Sequence, residues 1–175
     1  MLSVTLLLNL WRLDILRTEM QLDNGTAVVD NFLSLDMVEF LDDYYSHELP
    51  HYYGHRSNKE SLPFYYCQIQ PDPLHKLIWN KITKVISSDL ILKRAYINVQ
   101  HKHMDGTFHT DDGKLTIIYM ATQTLKKGVG CLEFQNGERV DFIQNRLVWF
   151  NGSMPHKGNA PDTYDPRITL VFKSV

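Results

Sequence analysis

Cysteine is scarce in this chain. Cys67 and Cys131 are the only two, far apart in sequence. Two thiols so placed make neither a disulfide framework nor a zinc-finger spacing, so both are expected reduced and buried. Long apolar runs are scarce too. "MLSVTLLLNLW" is too short to span a bilayer, has no Lys or Arg before it and no small-residue cleavage site after it. Charge follows at once in "RLDILRTEM". No membrane partner and a cytoplasmic location are therefore expected. Residues 1–21 read as an N-terminal extension, either an amphipathic helix packed on the domain or the product of a start codon placed too early, with Met20 opening a more ordinary beginning. Without a secretion signal, the sequons at Asn24 and Asn151 are accidental. Basic excess is also lacking: 18 Lys and Arg stand against 20 Asp and Glu, and no basic stripe is interleaved with aromatics, which excludes a dedicated nucleic-acid binder. There is no internal repeat, no low-complexity linker and no His-Glu-x-x-His zinc-hydrolase motif. What remains is an ordinary globular composition, 43% hydrophobic and 22% charged over 175 residues. That fits a single domain over residues 22–175 with a sizeable core.

The pattern along the chain changes once. "TAVVDNFL" reads as a strand and a turn. Ser34 is placed as an N-cap, with Leu35, Val38, Phe40, Leu41 and Tyr45 following at helical spacing. A second helix fits "DPLHKLIWNKITKVISSD", with Asp72 as cap, Pro73 in the first turn and a stripe of Leu74, Leu77, Ile78, Ile82 and Val85. Between the helices, Leu49 to Tyr66 reads as a long Tyr- and His-rich loop. After Asp89 come short β-type runs: "LILKRAYINVQ", "KLTIIYMAT", "GCLEFQ", "RVDFIQ", "NRLVWFNG" and "PRITLVFKSV". Helices first and then serial short strands predict an α+β chain ending in a β-sandwich or jelly roll.

Two His-x-Asp triplets lie in this region, His103-Met104-Asp105 and His109-Thr110-Asp111. With eight His in the chain, one such triplet carries no weight alone. The chemistry it would serve is specific. A non-haem Fe(II) site takes two imidazoles and one carboxylate on one face of an octahedron and keeps the other face open. Residues i and i+2 of a strand point the same way and deliver two of the three ligands. His156, just after "LVWF", is a candidate for the third, although a lone His is usually a hydrogen-bonded structural residue. Asp105-Gly106 is a turn dipeptide, so the first triplet enters a turn, while Thr107-Phe108-His109 fits a short strand leaving it. A cupin is the nearest rival, starting at His101-Lys102-His103, but no glutamate follows before Glu133.

The ordered set "HTDD", "LTIIYM", "GCLEF", "NRLVWFNGSMPHKG" and "PRITLVFK" resembles the 2-oxoglutarate and Fe(II)-dependent dioxygenases, closest to their prolyl 4-hydroxylase-like branch. The resemblance covers about residues 22–175 and is strongest from Tyr96 onward. It implies a double-stranded β-helix (jelly-roll) core with supporting N-terminal helices. It also selects the His109 triplet, which precedes "LTIIY" at the family's spacing. His109, Asp111 and His156 would then bind Fe(II), with 2-oxoglutarate as cosubstrate and dioxygen as oxidant. Arg167, eleven residues after His156, stands where the family places its basic residue. A guanidinium fork matches the distal carboxylate of 2-oxoglutarate with two charge-assisted bonds, and a charge opening an apolar strand needs such a partner if it turns inward. The resemblance adds Tyr119 to that carboxylate; otherwise Tyr119 is a core aromatic. Thr169, two residues beyond Arg167 on the same face, and Asn98, on the strand before the first ligand, are further cosubstrate candidates. The implied activity is hydroxylation of peptidyl-proline. One departure is Lys173, where some prolyl hydroxylases carry a Trp. A small molecule or another side chain stays open as substrate, as does a catalytically silent binding module. The Leu49–Tyr66 loop is expected to cover the mouth of the site, with Tyr52, Tyr53 and Tyr65 as stacking surface, or else to pack on the helices.

Overall fold

A computed structural model describes residues 19–70 and 72–175. The amphipathic helix expected in the extension therefore lies outside the described residues up to position 18. Glu19–Gln21 form strand β1, so the sheet takes in residues on both sides of position 22.

One eight-stranded antiparallel sheet dominates. Its strands are β1, β2 (Ala27–Val29), β3 (Tyr52–His55), β4 (Phe64–Ile69), β5 (Leu92–Gln100), β6 (Leu115–Met120), β9 (Arg146–Asn151) and β11 (Arg167–Ser174). They lie in the order β1-β2-β9-β6-β11-β5-β4-β3. A smaller sheet of β7 (Leu132–Phe134), β8 (Arg139–Val140) and β10 (His156–Gly158) has the order β10-β7-β8. The two sheets are the walls of a jelly roll, as expected.

Among the described residues two α-helices cover the outer face of the large sheet. Helix α1 (Leu35–Asp43) runs into a single π-turn over Tyr44–Glu48. Ser34 stands in extended conformation before α1, but its side chain makes no capping bond. Helix α2 (Pro73–Val85) is capped as expected: Asp72 Oδ1 accepts from His75 N at 2.8 Å. Val38, Leu41, Tyr45, Ile78 and Ile82 pack on Ile97, Val99, Ile117, Tyr119, Ile168, Leu170 and Phe172. A second core between the sheets joins Tyr96, Ile118, Met120 and Val171 to Leu132, Phe134, Val140 and Phe142. Both cysteines are free and buried. Among the described residues no helix is long and apolar enough to cross a membrane.

The segment from Leu49 to Tyr66 is not simply a loop. Tyr52↔Tyr66 and Tyr53↔Tyr65 pair to form a hairpin at the sheet edge, with a register shift between Tyr53 and His55. Gly54 sits at the shift with φ +122°, a conformation that favours glycine. Aromatic residues suit a half-exposed strand, and Pro50 and Pro63 flank the pairing without interrupting it.

Candidate active site

The stretch 109–111 is laced by its backbone to 152–156. His109 N donates to His156 O at 3.0 Å, His156 N returns a bond to His109 O at 2.9 Å, and Asp111 N donates to Gly152 O at 2.8 Å. Gly152 permits this approach: a Cβ there would lie 2.2 Å from the carbonyl oxygen of Gly113. Residues 107–108 are not strand; His109 alone forms a β-bridge, with His156.

This lacing brings three ligand-type atoms, from His109, Asp111 and His156, within 4.8 Å of one another. Each imidazole is oriented by a backbone carbonyl. His109 Nδ1 meets Thr107 O at 2.9 Å, and His156 Nδ1 meets Met154 O at 2.8 Å. A carbonyl only accepts, so Nδ1 carries the hydrogen, and in the neutral ring Nε2 keeps a bare lone pair. His156 Nε2 lies 3.2 Å from Asp111 Oδ2, and His109 Nε2 lies 3.8 Å from Asp111 Oδ1. Two acceptors at 3.2 Å repel unless a cation or proton stands beside them. Two imidazoles and one carboxylate suit a first-row divalent metal with positions left open. Burial favours the neutral His109 ring and lowers its pKa. Burial alone would raise the Asp111 carboxyl, but the neighbouring His156 ring and the Lys173 charge outweigh it and hold the group well below the usual carboxylate range.

The three side chains open onto a cavity of about 220 Å³ between the sheets. Its floor is the inner face of β5 and β11, whose register sets Arg167 opposite Gln100 and Thr169 opposite Asn98. Arg167 is buried at 3% exposure. Its Nε donates to Gly130 O and its Nη1 to Gln100 Oε1, both at 2.7 Å, while the guanidinium lies over the Phe142 ring. Among the described residues no carboxylate pairs with it, and burial lowers its pKa to about 10. An unpaired buried guanidinium is costly unless an anion arrives from outside. Nearby, Asn98 Oδ1 is buried without a hydrogen-bond partner among the described residues. Gly158 keeps this end open, since a Cβ there would lie 3.1 Å from Gln100 Oε1 and 3.3 Å from Arg167 Nη1.

Six of the seven residues singled out in the sequence therefore line one cavity: His109, Asp111, His156, Arg167, Thr169 and Asn98. Tyr119 does not. It shares a face with Leu115 and Ile117 as expected, but that face meets the helices, where Tyr119 is fully buried 6.1 Å from the Phe32 ring. Thr116 and Ile118 are the residues of β6 that reach the cavity. His103, exposed at φ +70°, stands in a turn away from the cavity. From the β3–β4 hairpin, His55, Arg56, Ser57 and Phe64 line the cavity, whereas Tyr52 and Tyr53 point to solvent. Sequence reasoning missed Tyr96, Gln100, Thr116 and Lys173. The available signal was parity: Tyr96 and Gln100 flank Asn98 at a spacing of two, and Lys173 continues the row of Arg167 and Thr169.

No family model matches the chain, and no curated protein matches it. Solved structures do. The viral collagen prolyl hydroxylase of Paramecium bursaria Chlorella virus-1, solved with 2-oxoglutarate, superposes with TM-score 0.65 at 13% identity, covering 85% of this chain and 94% of that one. A Trichoplax adhaerens prolyl hydroxylase, in complex with a hypoxia-inducible-factor peptide, gives 0.64 at 17% identity, covering 86% and 84%. The α-ketoglutarate-dependent epimerase SnoN of nogalamycin biosynthesis gives 0.67 at 12% identity, covering 87% and 78%. The chain thus has the double-stranded β-helix fold of these enzymes.

Proposed function

We propose that the protein is an Fe(II)- and 2-oxoglutarate-dependent dioxygenase that hydroxylates an unactivated C–H bond. One observation carries this reading: a two-His, one-carboxylate cluster shares a cavity with a buried arginine that has no carboxylate partner among the described residues. His109, Asp111 and His156 would hold the metal. Arg167 would take the distal carboxylate of 2-oxoglutarate, with Thr169 and the unpartnered Asn98 as further polar contacts. When bound, iron, 2-oxoglutarate and dioxygen together supply the oxidising power for hydroxylation, with succinate and carbon dioxide as co-products. The chain's own part is to hold, orient and exclude water. Carbonyl bonds at Nδ1 fix both imidazoles, and the two sheets close over Arg167, where low dielectric strengthens its pairing with an anion.

Peptidyl-proline is the substrate we favour, because two of the similar structures are prolyl hydroxylases and because the β3–β4 hairpin lines the cavity with His55, Arg56 and Ser57. A small-molecule substrate is the second reading, favoured by the similarity to SnoN. The test is succinate release with Fe(II) and 2-oxoglutarate against proline-containing peptides and a metabolite panel. Turnover with one class, absent in Asp111→Ala, is expected. Succinate no higher than in Asp111→Ala across the whole panel would overturn the assignment. The anchor has its own measurement. Losing a charge-assisted pair costs roughly 1.5–3 kcal/mol, so Arg167→Met is expected to weaken 2-oxoglutarate binding to metal-loaded protein by about 10- to 150-fold. Equal affinities would remove Arg167 from the site.

A further inference from the structure

Lys173 has no task in the chemistry above, yet its side chain is buried at 1% exposure. Buried ammonium groups are rare and costly unless paired. This one donates to Asp111 Oδ2 and, at 3.1 Å, to Thr116 Oγ1. The Thr116 hydroxyl in turn donates to the same Oδ2 at 2.5 Å. Oδ2 therefore carries two donors, with His156 Nε2 3.2 Å away as well, while among the described residues the neighbour of Oδ1 is His109 Nε2, at 3.8 Å. Asp112, the next carboxylate along the chain, is taken up at the rim by Lys93 and Arg94. Asp111 is thus the carboxylate that Lys173 pairs with.

A carboxylate can give a metal one oxygen or two, and the second would occupy a position that the cosubstrate needs. We infer that Lys173, together with Thr116, is a positioning residue that fixes the Asp111 carboxylate and limits it to single-oxygen ligation. This inference rests on the metal-site reading above. It has a cost, since an ammonium beside a dication repels it. Lys173 therefore weakens metal binding while keeping open the position used by 2-oxoglutarate. A lysine that merely supported the fold would still repel the ion but would not keep that position open.

The two effects have opposite signs and separate readouts. Under anaerobic conditions, Mn(II) is titrated into wild type, Lys173→Met, Lys173→Arg and Thr116→Val, and free Mn(II) is followed by electron paramagnetic resonance. 2-Oxoglutarate is then titrated calorimetrically into each Mn(II)-loaded protein. Wild type is expected to bind one ion per chain. Removing the like charge in Lys173→Met is expected to tighten Mn(II) binding by at least about tenfold. In the same variant 2-oxoglutarate should bind at least about tenfold more weakly, because the freed carboxylate can take a second position. Lys173→Arg should restore both values toward wild type. Thr116→Val removes one bond to Oδ2 but no charge, so it should weaken 2-oxoglutarate binding and leave Mn(II) affinity within about twofold. It also keeps the test decisive if Lys173→Met fails to fold. Mn(II) affinity unchanged or weaker in a folded Lys173→Met protein, with wild type binding normally, overturns the role of Lys173 alone. Unchanged 2-oxoglutarate affinity in both Lys173→Met and Thr116→Val does the same. A wild type that binds no Mn(II) overturns the metal-site reading itself.

Discussion

His109 and His156 each give their Nδ1 hydrogen to a backbone carbonyl, of Thr107 and Met154 respectively. Turning either ring breaks a partly buried bond, so the two Nε2 atoms are already aimed at Asp111 before any ion arrives. Stoichiometric Fe(II) or Mn(II) binding is expected to vanish in His109→Ala and in Asp111→Ala and to persist in His103→Ala, as calorimetry would read. A reversed pattern would mean that the metal uses the other triplet. Tyr119 makes an opposite prediction. Its hydroxyl is buried with no hydrogen-bond partner among the described residues, so Tyr119→Phe removes an unsatisfied polar group. The variant should melt no lower than wild type and bind 2-oxoglutarate equally well. Weakened cosubstrate binding would put the phenol back in the site.

Among the elements, α2 depends on its first turn. Asp72 caps it through Oδ1 and holds the ring of buried His75 through Oδ2 at 2.7 Å; His75 Nε2 in turn meets the Tyr45 hydroxyl at 3.0 Å. Burial pushes the Asp72 carboxyl up, but the hydrogen bonds from His75 and its charge together outweigh it and lower the pKa. A carboxylate lowered in the folded state stabilises above its unfolded pKa, and that stabilisation fades as pH falls through the folded value. Asp72→Ala should therefore cost about 1 kcal/mol near neutral pH and progressively less in acid, measured by urea unfolding across pH. The β3–β4 hairpin carries a kinetic prediction. Its inward residues are His55, Arg56 and Ser57, so His55→Ala with Arg56→Ala should raise KM for the prime substrate and leave Mn(II) and 2-oxoglutarate affinities in place. Unchanged KM in a folded variant would make the hairpin a packing element only.

At the scale of the whole molecule, much of the jelly roll was legible because its strands are short apolar runs set off by turn residues. The His109, Asp111 and His156 cluster was legible because two of its members lie two residues apart and the third follows a recognisable strand. Three things were not. Alternation on β6 shows that Leu115, Ile117 and Tyr119 share a face, but both faces of that strand are buried, so periodicity cannot say which one meets the cavity. The β3 strand was hidden because an edge strand flanked by proline looks like a loop. The role of Lys173 was hidden because its partner, Asp111, is 62 residues away. The strand that carries Lys173 also carries the buried Arg167, and β11 lies between β6 and β5 with every residue buried. Synthesis is vectorial, so β5 and β6 leave the ribosome well before the strand that must come to lie between them. Until it arrives the sheet has a gap at its centre, and apolar faces meant for both cores stand open to water and to chaperones. A chain interrupted before residue 167 would hold His109, Asp111 and His156 but neither the guanidinium nor the ammonium that share their cavity. Synthesis thus delivers the two cations after the cluster they flank, when the central strand goes in.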